Sequence, residues 1–143
     1  MGRKIVRPTH ARYPLMMPVV DTASVPEIQM RSGVAGKWLC ARDQGATSTS
    51  VLRNWVEPGI TIPRHRHDQE EIVLVERGTM WVEIDGVRHE AGPGQTVIIP
   101  ARAVHAWGTL KEKIQIVFVW PESEPFAPGK STYLDGSEPP KTA

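Results

Sequence analysis

An all-β fold, a sandwich or barrel of short strands, is predicted by three features of the chain. Between Lys37 and Trp120 the apolar runs are short and rich in valine, isoleucine and tryptophan. Turn signals ("EPG", "ERG", "IDGV", "GPG") punctuate them about every 8–12 residues, the spacing of such folds. The third feature is Asp85-Gly86, flanked by "TMWVEI" and "VRHEA". That dipeptide is the strongest short-range hairpin signal. At 143 residues the chain suits one domain with a real core.

Taken in order, residues 1–36 are broken by Pro8, Pro14, Pro18 and Pro26, which leaves room for short extended pieces but not for a long helix. This stretch is expected to be a proline-rich arm. Residues 37–120 carry the strands. The last of them, "IQIVFVW", is a nearly continuous apolar run, which predicts burial on both faces. Residues 121–143 are rich in proline, glycine, serine and charge, so the tail is expected to be loose except where Phe126 or Tyr133-Leu134 docks. No internal repeat or heptad is visible.

Composition excludes several functions. Seventeen basic residues against sixteen acidic give a net charge of +1, too little to grip nucleic acid or an anionic membrane. "LMMPVV" is short and interrupted by Pro18, so neither a signal peptide nor a membrane span is expected and the chain reads as cytoplasmic. Cys40 is the single cysteine, which rules out an intrachain disulfide and a multi-cysteine metal cage. Metal chemistry here must use histidine and carboxylate.

"PRHRHDQEEIV" (63–73) concentrates that chemistry. Residues two apart on a strand share a face and sit about 6–7 Å apart, so His65 and His67 project to the same side. They can lean onto one ion with bonds of about 2.0–2.1 Å. Carried onward, the same parity selects Glu71 over Glu70 and then reaches Val73 and Val75. A bulge between His67 and Glu71 would reverse that choice. Taken alone, "HRH" also fits a solvated strand face. "IIPARAVHAW" places His105 beyond a proline-marked bend as a third nitrogen donor. His10, in the arm, and His89, in a hairpin strand, suit surface or core roles better.

These residues resemble a known family. Gly59, His65, His67, Glu71 and Gly78 reproduce, at every fixed spacing, the first signature of the cupin superfamily. After fifteen residues, Gly94, Pro100 and His105 resemble its second signature. Two positions depart from it: Arg102 stands where the pattern has glycine, and Thr109 where it ends in asparagine. The stretch from Gly33 to Gly59 is also similar to the cupin half of zinc-binding anti-sigma factors and the dioxygenases grouped with them. Their helical sigma-binding half has no counterpart in this sequence.

The resemblance implies a small jelly-roll β-barrel with one metal centre, held by His65, His67, Glu71 and His105. Three neutral imidazoles and a carboxylate leave a divalent ion a net charge of +1 and suit Fe, Mn, Ni, Cu or Zn. An octahedral ion would keep two positions open for a small-molecule substrate. The family's activities then suggest first a dioxygenase acting on a small oxygenated compound. The alternatives are a non-enzymatic metal and ligand sensor, and an isomerase or lyase acting on a sugar or sugar acid. Trp107, sharing parity with His105, is either pocket wall or core. Trp55 and Trp81 are further wall candidates, and Arg53 would anchor a substrate carboxylate if it faces inward. Small cupins commonly pair edge strands, so a homodimer is expected, with the arm available for exchange between protomers.

Overall fold

The computed structural model describes residues 18–141. His10 and residues 1–17 of the expected arm lie outside them. Among the described residues there are eleven strands, two 3₁₀ turns and no α-helix, hence no helix long and apolar enough to cross a membrane. The strands are β1 (Ile28–Arg31), β2 (Val34–Cys40), β3 (Ser50–Val56), β4 (Thr61–His67), β5 (Glu71–Arg77), β6 (Met80–Ile84), β7 (Val87–Ala91), β8 (Thr96–Ile99), β9 (His105–Thr109), β10 (Ile114–Trp120) and β11 (Ser131–Tyr133). They form two antiparallel sheets, six strands in the order β1-β2-β3-β10-β5-β8 and five in the order β11-β4-β9-β6-β7. The sheets face each other as a jelly-roll barrel.

Alternation builds the core. On β3 and β10 every second residue is buried, so Leu52 and Val56 meet Ile114, Ile116, Phe118 and Trp120 inside the barrel. The expected burial of β10 on both faces is corrected: Gln115, Val117 and Val119 are half-buried on the outer face of the sheet. The Asp85-Gly86 hairpin forms as predicted, with both residues at positive φ (48° and 82°) and Ile84 paired to Val87.

Both ends of the chain contribute more strand than the sequence suggests. Pairing begins at Ile28, because Gly33 at φ 75° turns β1 back onto β2. In the tail, Phe126 packs on the core and β11 pairs with β4, burying Tyr133. Polar turn residues surround both short strands, so neither shows a period long enough to read.

Candidate metal centre

The two sheets bring four buried side chains to one point. His65 and His67 face inward from β4, and His105, the first residue of β9, pairs directly across from His65. Pairing is irregular between Ile62 and His65, where Pro63 has no N–H to donate. That irregularity resets the alternation, so Ile62 and His65 both point inward. Glu71 arrives by a route that parity did not foresee. The chain leaves β4 at His67, turns through Asp68–Glu70 and re-enters as β5 of the opposite sheet, with Glu71 first and buried. Glu70 stays exposed on the turn.

Ligand atoms of His65, His67, Glu71 and His105 all lie within 4.8 Å of one another. Glu71 Oε2 is 3.1 Å from His105 Nε2 and 3.3 Å from His67 Nε2. Yet Glu71 Oε2 and His105 Nε2 have no aligned hydrogen-bond partner. Backbone carbonyls set the tautomers of two rings: His65 Nδ1 donates to Pro63 O at 2.7 Å, and His105 Nδ1 to Ala103 O at 2.9 Å. With Nδ1 committed, Nε2 is the nitrogen that each ring, once neutral, has left to offer the cluster, the arrangement metal-ligating histidines use. Buried, convergent and unpaired donors of this kind fit a divalent transition metal, and the four residues are a group able to hold one.

Electrostatics agree. Burial, then the neighbouring His105, pushes the His65 imidazole down to about 3, and burial also lowers His67. Both are neutral at pH 7. Burial opposes charge on Glu71 and His105 as well, but their proximity prevails: the carboxyl is lowered by His105 and His67, and the His105 imidazole is raised by Glu71.

His65, His67 and Glu71 line a cavity of about 30 Å³ to which Trp107, Phe118, Trp120, Phe126 and Tyr133 contribute aromatic side chains. Trp107 packs on Phe118 (5.4 Å between centroids), which stacks on Trp120 at 5.2 Å and 5°. Tyr133 lies flat on His65, and its buried hydroxyl, pushed up to about 12 by burial, accepts a hydrogen bond from Arg31 at 3.2 Å. Asn54 and Arg31 are further polar lining residues. Phe126 separates this cavity from an outer groove of about 330 Å³ that also includes Trp38, Arg42 and Glu124.

Of the expected pocket residues, Trp107 lines the cavity and three do not. Arg53 is on the outer face of β3 in an ion pair with Glu76 (2.8 Å), and Trp55, on the same face, donates to Gln115. Trp81 lies on the outer face of β6 beneath the Arg88 guanidinium. All three sit at positions alternate to the buried ones, which parity with Leu52 and Met80 would have shown. His89 is exposed on β7. Phe118 and Trp120 were equally legible from parity. Tyr133 and Arg31 were not, since they come from the short terminal strands.

The two departures from the family signature have local explanations. Arg102 adopts φ 64°, the left-handed region its glycine would occupy, and its N–H donates to His67 O at 2.8 Å. Thr109 Oγ1 donates to Glu57 O and accepts from Ile60 N, holding the loop before β4.

Comparison with known proteins agrees with the fold. A family model described as "Cupin domain" matches residues 55–121. Protein SchB of Streptomyces halstedii is 31% identical over 128 residues, covering 87% of this chain and 91% of that protein. Among solved structures, the polyketide cyclase RemF from Streptomyces resistomycificus superposes with a TM-score of 0.70 at 23% identity, covering 87% of this chain and 89% of that one. Oxalate decarboxylase from Bacillus subtilis gives a TM-score of 0.70 at 17% identity, over 87% of this chain and 33% of that one.

Proposed function

Because the chain belongs to the cupin superfamily, we propose that it is a divalent-metal-dependent enzyme acting on a small, flat, oxygenated organic molecule, with His65, His67, Glu71 and His105 as ligands. The observation that carries this reading is the convergence of buried donors from these four residues within 4.8 Å of one another, with Nδ1 of His65 and of His105 committed to backbone carbonyls so that Nε2 is left for the ion. The aromatic side chains beside them, Trp107, Phe118 and Trp120, suit a planar substrate better than a sugar, whose hydroxyls would need many polar partners. That weakens the sugar isomerase alternative.

The likeness to a polyketide cyclase supports a redox-neutral ring closure as the reaction. When bound, a divalent ion supplies Lewis acidity toward a carbonyl or enolate oxygen. The protein's own residues do the rest. Trp107, Phe118 and Trp120 clamp the planar body and exclude water. Arg31, at the edge of the cavity, offers a cation to developing negative charge. A cavity of about 30 Å³ holds roughly two waters, so a substrate enters only as the C-terminal part of the wall, Phe126, Tyr133 and Pro140, gives way.

A dioxygenase is the second reading, favoured by the three-histidine, one-carboxylate donor set, which suits iron and leaves room for oxygen. Elemental analysis and X-ray absorption, followed by anaerobic incubation with a linear poly-β-carbonyl thioester, separate the possibilities. Metal-dependent loss of water without oxygen supports the cyclase. Product formation only with oxygen uptake supports the dioxygenase. Four-coordinate zinc with neither activity would move the reading to a sensor module. We also propose a homodimer, supported by exposed Leu74 and Ile98 on the outer face of neighbouring strands β5 and β8; sedimentation as a monomer would overturn it.

A further inference from the structure

Asn54 is a polar residue in the middle of an apolar face. It shares the inward side of β3 with Leu52 and Val56, is only 4% exposed, and lines the same cavity as His65, His67 and Glu71. Its Oδ1 is buried without a hydrogen-bond partner. An unpaired acceptor in such a place costs stability that an apolar side chain of the same shape would not. The neighbouring strand leaves room for it. Asn54 pairs with Gly36 on β2, where an added Cβ would press on Asn54 Oδ1 and on the Met30 thioether. The space holding the amide is therefore kept open at a second position.

We infer that Asn54 is a specificity-determining residue: its buried amide accepts a hydrogen bond from a hydroxyl of the bound molecule, oriented beside the metal-binding cluster. This rests on the reading of the cavity as a substrate site. The class of ligand it selects is a planar molecule with two polar groups, one oxygen for the metal end and a second, donating hydroxyl for Asn54. A planar molecule with a single oxygen leaves the acceptor unsatisfied and is rejected, because the site's unpaired group then remains buried and desolvated.

The test uses zinc-loaded full-length protein and two probes, 1,8-dihydroxynaphthalene and 1-naphthol, with binding followed by quenching of tryptophan fluorescence. The wild type is expected to prefer the dihydroxy probe by about tenfold or more, the discrimination one buried hydrogen bond supports. Asn54→Leu, which keeps the side-chain shape, and Asn54→Ala, which adds no bulk, should both bring the ratio near one. Asn54→Leu should also raise Tm by about 3–5 °C, since it removes an unpaired buried polar atom. Retained discrimination in both variants overturns the inference whatever their Tm, and leaves the substrate-cavity reading standing. Failure of the wild type to bind either probe overturns the substrate-cavity reading and this inference with it.

Discussion

Tyr133 stacks on His65 with ring centroids 4.6 Å apart and planes 11° apart, and the β4–β11 register sets the two residues directly opposite each other. A strand of three residues, β11, thus clamps a member of the candidate metal site. Tyr133→Phe keeps the stack and loses the bond from Arg31, so it should cost only about 0.5–1.5 kcal/mol. Tyr133→Ala removes a buried ring and should cost about 3 kcal/mol, while also weakening metal binding. Denaturant unfolding with and without metal checks both. Equal effects of the two variants would show that the hydroxyl, not the ring, does the holding.

Alanine at His65, His67, Glu71 or His105 is expected to abolish stoichiometric metal uptake. Glu70→Ala should leave affinity within about twofold of wild type, because Glu70 is exposed on the turn and touches none of the cluster. Elemental analysis after dialysis distinguishes them. Metal loss in the Glu70 variant would mean that the turn, rather than Glu71 alone, supplies the oxygen donor.

Metal uptake should release a proton, and the releasing group is His105. Glu71 raises this imidazole above its ordinary 6.5 despite burial, whereas His65, held at about 3, and His67, held low, are already neutral. Above the raised value affinity should not vary with pH. Below it, affinity should fall about tenfold per pH unit as the proton competes with the ion. Metal titration in weak buffer with an indicator dye reads the proton directly. Affinity unchanged from roughly pH 8 to pH 5 would exclude His105 as a ligand.

Arg53 is expected to matter for stability and not for activity. Its hydrogen bond lowers the Glu76 carboxyl, against a smaller opposing effect of burial. The stabilisation is therefore present above the ordinary carboxylate value of 4.5 and is lost as the pH falls below it. Because the pair is partly solvated, a double-mutant cycle should give only about 0.2–1 kcal/mol near neutral pH. A large fall in kcat for Arg53→Ala would contradict the outward placement.

Phe126→Ala should join the inner cavity to the outer groove, since this ring belongs to both walls. The variant is expected to admit bulkier aromatic probes than the wild type, by fluorescence quenching. An unchanged size limit would place the entrance elsewhere, at Arg31 and Pro140.

Much of this centre could be read from residue order because strand alternation is a local property. His65 and His67 needed only their spacing, and the Asp85-Gly86 turn needed only its own backbone preference. Glu71 matches strand parity only by coincidence, because the chain turns through Asp68–Glu70 and changes sheets before reaching it. The signature spacing held nonetheless, because it describes the turn as well as the strand. Arg53 and Trp55 have the chemistry of pocket residues, yet alternation with Leu52 sets them outside. Arg31 and Tyr133 meet through a hydrogen bond between side chains about a hundred residues apart, which no local pattern encodes.

The candidate ligands are divided between layers, His65, His67 and His105 on the five-stranded sheet and Glu71 on the six-stranded one. Those layers otherwise meet largely through apolar side chains, which are non-directional and tolerate sliding. An ion shared by both would act as a rivet, resisting shear between the sheets more than fraying at their edges. Amide protons in central β4, β5 and β9 should then slow together in hydrogen exchange on metal addition, while those of the β6–β7 hairpin tip exchange as before. The barrel would be stiffened where the two sheets face each other across the cavity.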